Sequence, residues 1–143
     1  GIGLLTSTGI TAVTAGSVSH FTNDRHFASW FGLTPKEHSS GDHRSIGRIS
    51  KRGDKYLRML LTHGARSVLR AATVSLAKGQ EVHGIRRWAL DLQQRTNHNK
   101  ATCALANKLA RICYAVLRDQ TPFGQRTTRL GKKVAQQSFA IVG

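Results

Sequence analysis

The sequence has 143 residues, of which 22 are Lys or Arg and 7 are Asp or Glu, so its formal net charge is +15. Its hydrophobic content of 39% is sufficient for one domain with an apolar core. A charge this one-sided repels itself unless a polyanion balances it, which makes nucleic acid the first partner to consider and an anionic membrane surface the second. The seven acids are scattered singly, which argues against a two-metal site built within this chain.

The sequence shows no secretory leader and no apolar run near the ~18 residues of a membrane span. Cys103 and Cys113 fall in one predicted helix, about 15 Å apart along its axis, which is too far for a disulfide. No Cys or His spacing is typical of zinc. We therefore expect a reduced, cytoplasmic protein with no membrane partner and no metal site of its own.

The chain opens on a glycine motif without an initiator Met, which suggests a segment of a longer protein. Gly1 and Gly3 predict a tight turn, followed by a helix over residues 4–15. The arrangement is that of the second half of a helix-hairpin-helix, in which backbone N–H groups at a helix start bind phosphate. Because the motif is only three residues long, an ordinary turn without a binding role explains it equally well.

Apolar periodicity predicts four further helices, at about 24–31, 51–73, 85–95 and 96–120, with Gly53 as a residue that could delay the start of the second by one turn. Thr22 or Asn23 is expected to cap the first of these, Ser50 the second, and Thr96 or Asn97 the last. The stripe on the second comprises Leu57, Leu61, Gly64, Val68 and Ala71, and Phe27, Trp30 and Phe31 are predicted core residues.

Helical periodicity stops in a polar insertion at about 36–49, which we predict to be irregular or a short hairpin with Gly41 and Gly47 as turn points. The sequence therefore predicts a mainly α fold, a small helical domain of about five helices over residues 1–120. Residues 121–143 form a basic tail that is expected to be flexible.

The insertion places Ser39 and Ser40 before Gly41, ahead of a cluster of cations. The cluster comprises Arg44, Arg48, Lys51, Arg52, Lys55 and Arg58. A serine hydroxyl needs activation to act as a nucleophile, and cations at a phosphodiester stabilise the charge that develops on its oxygens. The simpler interpretation is a loop that only holds phosphate, because Ser-Gly pairs are common in turns.

Four stretches together resemble the C-terminal transposase domain of the IS110 class of insertion sequences, with the Piv-type DNA invertases as relatives. They are GIGLLTSTGITAV, FASWFGLTPKEHSSG, GRISKRGDKYLRMLLTHGARSVL and NKATCALANKLARICYAVL. The resemblance runs over residues 1–123, and the tail beyond matches no feature of the family.

The resemblance implies a serine nucleophile in a Ser-Gly motif, which matches Ser40, with Ser39 as the runner-up. It also implies a separate RuvC-like domain that binds Mg²⁺, a guide RNA and a homo-oligomer in the active complex. DNA or RNA would contact Gly1, Gly3 and the cations named above. The alternatives are a non-catalytic basic nucleic-acid-binding module and a structural or oligomerisation domain.

Overall fold

The computed structural model describes residues 1–40 and 43–124, and within them the chain is mainly α, as predicted. Five helices and one two-stranded antiparallel sheet follow one another along these residues. The elements are α1 (Leu4–Thr14), α2 (Asp24–Trp30), β1 (Pro35–Ser40), β2 (His43–Ile49), α3 (Lys55–Ala77), α4 (Gly84–Arg95) and α5 (His98–Asp119).

Asx caps determine where three of the helices begin. Asn23 and Asn97 each accept a hydrogen bond from a backbone N–H in the first turn, so the two positions left open in the sequence are both filled by Asn. The prediction that Ser50 caps α3 was wrong. The carboxylate of Asp54 accepts from the backbone N–H of Leu57 at 2.8 Å, and α3 therefore starts after Gly53.

Helices α3 and α5 form the centre of the core, with α2, α4 and α1 packed around them. The most deeply buried large side chains come from α2, α3 and α5 and from the segment that follows α2; they are Phe27, Phe31, Leu33, Leu57, Leu61, Leu69 and Leu105. Two predictions of buried residues were wrong: Trp30 is 37% exposed, and Ala71 is exposed while Ala72 is buried. In the C-terminal half of α3, each buried position is therefore one residue later in the sequence than predicted.

The insertion is a β-hairpin. Its pairing runs from Pro35 with Ile49 at the base to Ser40 with His43 at the tip. The prediction of a turn at Gly47 was wrong, because this glycine lies inside β2. The register shifts there, so that two residues of β2 stand opposite one residue of β1, which is a β-bulge.

Within the described residues no helix is long and apolar enough to cross a membrane. Both cysteines are free, as their positions in α5 predict. Of the predicted tail, residues 121–124 continue past α5, and the rest of that prediction falls on 125–143, outside the described part of the chain.

Candidate functional site

Ser40 lies at the tip of the hairpin and is exposed. Its position is the last of β1, paired with His43, and the predicted turn point Gly41 lies outside the described residues. Five strand steps of about 3.4 Å place it roughly 17 Å beyond Pro35 at the base. The strands pair with each other and make little contact with the helices beyond that base. A nucleophile here is accessible to a large substrate.

Backbone hydrogen bonds extend the ladder below the strands. The N–H of Ser50 donates to the carbonyl of Thr34 at 2.8 Å, and the N–H of Lys51 donates to the carbonyl of Gly32 at 3.1 Å. Lys51 holds a positive φ of 56°, which turns the chain towards α3. We call residues 32–34 and 50–53 the hairpin base.

Two glycines let the two sides of the hairpin base touch. A Cβ on Gly53 would lie 1.8 Å from the carbonyl oxygen of Trp30, and a Cβ on Gly32 would lie 2.2 Å from that of Arg52. Both glycines have positive φ, at 95° and 70°. The end of α2 and the start of α3 therefore meet backbone to backbone, which fixes the root of the hairpin.

The guanidinium of Arg58 reinforces this junction from α3. Its Nη1 donates to the carbonyl of Phe31 at 3.0 Å and, more weakly, to that of Arg52 at 3.5 Å. Helix α2 ends at Trp30, so its last carbonyls need partners outside the helix. Arg58 is predicted to bind phosphate, but its Nη1 donates hydrogen bonds that stabilise the fold.

Four of the other predicted cations have described side chains near the hairpin base, and the side chain of the fifth, Arg44, lies outside the described part. Arg48, Lys51, Arg52 and Lys55 are exposed. Arg44 belongs to β2 as the pairing partner of Ser39, but the side chains of both lie outside the described part. Ser40 and the cations Arg48, Lys51, Arg52 and Lys55 therefore lie along the hairpin and the segment that joins it to α3.

The first of the N-terminal glycines lies against α3. A Cβ on Gly64 of α3 would fall 1.9 Å from the carbonyl oxygen of Gly1, so the first residue rests on this helix. Gly3 precedes α1 and offers no side-chain cap. The structure does not bring these two glycines to the hairpin.

A groove of about 1370 Å³ runs between the hairpin and the N-terminal half of α5. Its basic lining residues are Arg48, Lys51, Lys100, Lys108 and Arg111, and none of the described lining residues is Asp or Glu. The sequence reasoning missed Lys100 and Lys108. A period of three and four along α5 places Lys100, Ala104, Lys108 and Arg111 on one face, which is the signal that could have found them.

Arg111 of the groove is paired. Arg111 Nε donates to Asp24 Oδ2 at 2.6 Å, and this hydrogen bond lowers the pKa of the Asp24 carboxyl. Elsewhere, burial raises the pKa of the Cys113 thiol to about 11. Within residues 1–40 and 43–124, no group of three or more His, Cys, Asp and Glu side chains could hold a metal ion. The described residues therefore do not fit a Mg²⁺ site.

Residues 1–80 match the sequence model of the family described as "Transposase IS116/IS110/IS902 family". The chain belongs to this family. The hairpin, its base and the whole of α3 lie within the matched part of the chain.

Curated relatives agree with this family assignment. The chain is 43% identical over 121 residues to a probable family 20 transposase of Pseudomonas aeruginosa, covering 85% of the chain and 34% of that protein. It is 37% identical over 123 residues to the transposase for insertion sequence element IS1111A of Coxiella burnetii, covering 86% of the chain and 32% of that protein. The transposase for IS1328 of Yersinia enterocolitica is 34% identical over 125 residues, 87% of the chain and 35% of its own length. The chain thus spans about a third of the length of these relatives.

Proposed function

We propose that this transposase chain supplies the serine nucleophile, Ser40, for cleavage and rejoining of DNA strands. The observation that supports this most is the placement of Ser40: exposed at a hairpin tip whose root is held by close backbone contact. A catalytic group on a rigid support with open access suits a substrate as large as DNA.

The chemistry is a transesterification that conserves the phosphodiester energy. Ser40 Oγ attacks the scissile phosphorus and loses its proton, a new P–O bond forms, and the deoxyribose oxygen leaves and takes up a proton. A hydroxyl of a second DNA end then attacks the phosphoserine and restores Ser40. Cations at the non-bridging oxygens would stabilise the transition state, and Arg44 and Arg48 of β2 are the candidates.

The remaining parts of the machinery would come from outside the described residues. Because those residues do not fit a Mg²⁺ site, we propose that a RuvC-like domain elsewhere in the longer protein holds Mg²⁺. A guide RNA and a homo-oligomer complete the proposed active complex. Gly1 and Gly3 are proposed contacts for nucleic acid away from the hairpin.

A plasmid recombination assay with the full-length protein tests the proposal. Ser40→Ala should lower recombination at least ~10³-fold, as loss of a covalent nucleophile does in other enzymes, while DNA affinity stays within twofold because one hydroxyl contributes little beside several phosphate contacts. Ser39→Ala is the matched control and should retain activity.

The main alternative is a basic binding module without covalent chemistry. It shares the net charge of +15 but has no requirement for Ser40. Full recombination by Ser40→Ala, Ser39→Ala and the double variant would favour this alternative. Loss in Ser39→Ala with full activity in Ser40→Ala would move the nucleophile by one residue.

A further inference from the structure

We propose that the groove between the hairpin and α5 holds the sugar–phosphate backbone of the DNA strand, with Lys100 and Lys108 as phosphate ligands. The inference rests on the proposed function and extends it to residues outside the Ser-Gly motif and the cation cluster beside it. The groove's hairpin wall is formed by residues 46–49 of β2, and its other wall by α5 with Trp88 of α4.

The charge of the groove is one-sided. Arg48 and Lys51 approach from the hairpin and Lys100 and Lys108 from α5, and none of the described lining residues carries a negative charge. The lining also includes residues 97–100 at the start of α5, a 22-residue helix whose dipole is positive at that end. The volume of about 1370 Å³ exceeds that of a usual small-molecule pocket and suits an extended polymer.

Lys108 is held in position by an aromatic ring. Its Nζ lies 3.9 Å from the centroid of the Trp88 ring, a cation–π contact. Trp88 is partly buried and packs against the core, so the ring is a fixed support for the ammonium group. We therefore assign Trp88 as a positioning residue that directs Lys108 towards the groove.

The groove leads towards the hairpin tip. Ile46 lines it and pairs with Glu37, and Ser40 follows three strand positions later, about 10 Å further along β1. That distance corresponds to about three base steps of duplex DNA at ~3.4 Å per step. A strand lying in the groove could therefore reach the hairpin tip within a few nucleotides, and DNA is taken as the occupant because it is the proposed substrate of Ser40.

Binding measured against salt tests the groove separately from catalysis. The probe is a labelled 30-base-pair DNA duplex of arbitrary sequence, and fluorescence anisotropy with the 143-residue chain gives the slope of log K against log salt. Each phosphate contact contributes about 0.9 to that slope, so Lys100→Ala with Lys108→Ala should reduce it by about 1.8. Circular dichroism should show that the double variant keeps its helices.

Arg66→Ala with Arg70→Ala is the matched control. Both arginines are exposed on α3 and outside the groove, and the double variant removes the same net charge. The control should change the slope by less than half as much. Equal slopes for the two double variants would overturn the groove and leave only net charge as the cause of binding.

A gain of binding gives an independent arm. Arg111 lines the groove but is paired with Asp24, so Asp24→Asn should release one cation and steepen the slope by up to ~0.9. No change, or a shallower slope, would contradict the assignment. Arg111→Ala alone should have a smaller effect than Lys108→Ala.

The role of Trp88 is tested by rescue. Trp88→Leu should weaken DNA binding about two- to fivefold, whereas Trp88→Phe should restore most of the affinity because the ring is retained. Equal losses of affinity in both variants would show that Trp88 contributes only to packing.

An RNA duplex of the same sequence tests the identity of the occupant. A slope change in the Lys100 and Lys108 double variant with RNA but not with DNA would overturn the proposal. Recombination by Ser40→Ala bears on the nucleophile alone and leaves these binding results unaffected.

Discussion

Replacing Gly53 with Ala should destabilise the fold at the hairpin base. The new Cβ would lie 1.8 Å from the carbonyl oxygen of Trp30, and the φ of 95° is one that an Ala side chain rarely adopts. The left-handed backbone alone costs about 1–2 kcal/mol. Relief of the contact requires the two sides of the base to separate.

That separation would break two hydrogen bonds. The Arg58 guanidinium would lose the carbonyl of Phe31, now at 3.0 Å, and the Lys51 N–H would lose that of Gly32, now at 3.1 Å. Each bond contributes about 1 kcal/mol net. The Ala side chain also reduces the conformational entropy of the unfolded chain, which offsets at most ~1 kcal/mol of this destabilisation. The free energy of unfolding should therefore fall by about 3 kcal/mol.

Gly79→Ala is the matched control for this substitution. Gly79 also has a positive φ, at 72°, but a Cβ there would meet no atom within 4 Å. Its net cost should be about 1 kcal/mol or less, because only the backbone strain and the reduced entropy of the unfolded chain apply there. Urea unfolding followed by circular dichroism measures both variants. A Gly53→Ala variant no less stable than Gly79→Ala would refute the backbone contact at the hairpin base.

Two further predictions follow from titrating groups. Because Arg111 lowers the folded pKa of Asp24 below its unfolded value, their pair stabilises the fold above pH ~4, and this contribution is lost as the pH falls through the folded pKa. Since both side chains are a third or more exposed, the contribution should not exceed ~1 kcal/mol. Asp24→Asn should accordingly flatten the fall in urea midpoint between about pH 5 and 2, and an unchanged pH profile would contradict this. The Cys113 thiol, with its pKa raised to about 11, should react slowly with a disulfide reagent at pH 8 in a Cys103→Ala background and rapidly in urea; its folded-state stabilisation should decline as the pH rises above about 9. Equal labelling rates with and without urea would show that the fold does not protect the thiol.

Local sequence signals predicted most of the fold. Helical periodicity located the five helices, and Asn23 and Asn97 are caps because an Asx side chain satisfies N–H groups in its own helix, which requires no knowledge of other elements. The loss of periodicity after Gly32 likewise indicated the insertion, and with it the position of Ser40. These features depend on neighbours close in sequence, so one sequence is enough to detect them.

The remaining features depend on contacts between distant residues. The requirement for Gly53 comes from the carbonyl of Trp30, and the role of Arg58 comes from the carbonyl of Phe31, 27 positions earlier. Sequence alone assigned Arg58 to phosphate binding because a basic cluster gives no sign of which cation is used by the fold. Lys100 and Lys108 belong to the groove because α5 packs beside the hairpin base, about 50 residues away from it in sequence.

The most direct test of the central claim is a covalent adduct between the full-length protein and DNA. Labelled substrate is incubated with Mg²⁺, the reaction is stopped in denaturant, and the DNA-linked peptide is mapped by mass spectrometry. We predict a phosphodiester on Ser40, present in the parent protein and in Ser39→Ala and absent in Ser40→Ala. Recombination without any adduct, or with an adduct on a residue outside the hairpin, would contradict the account.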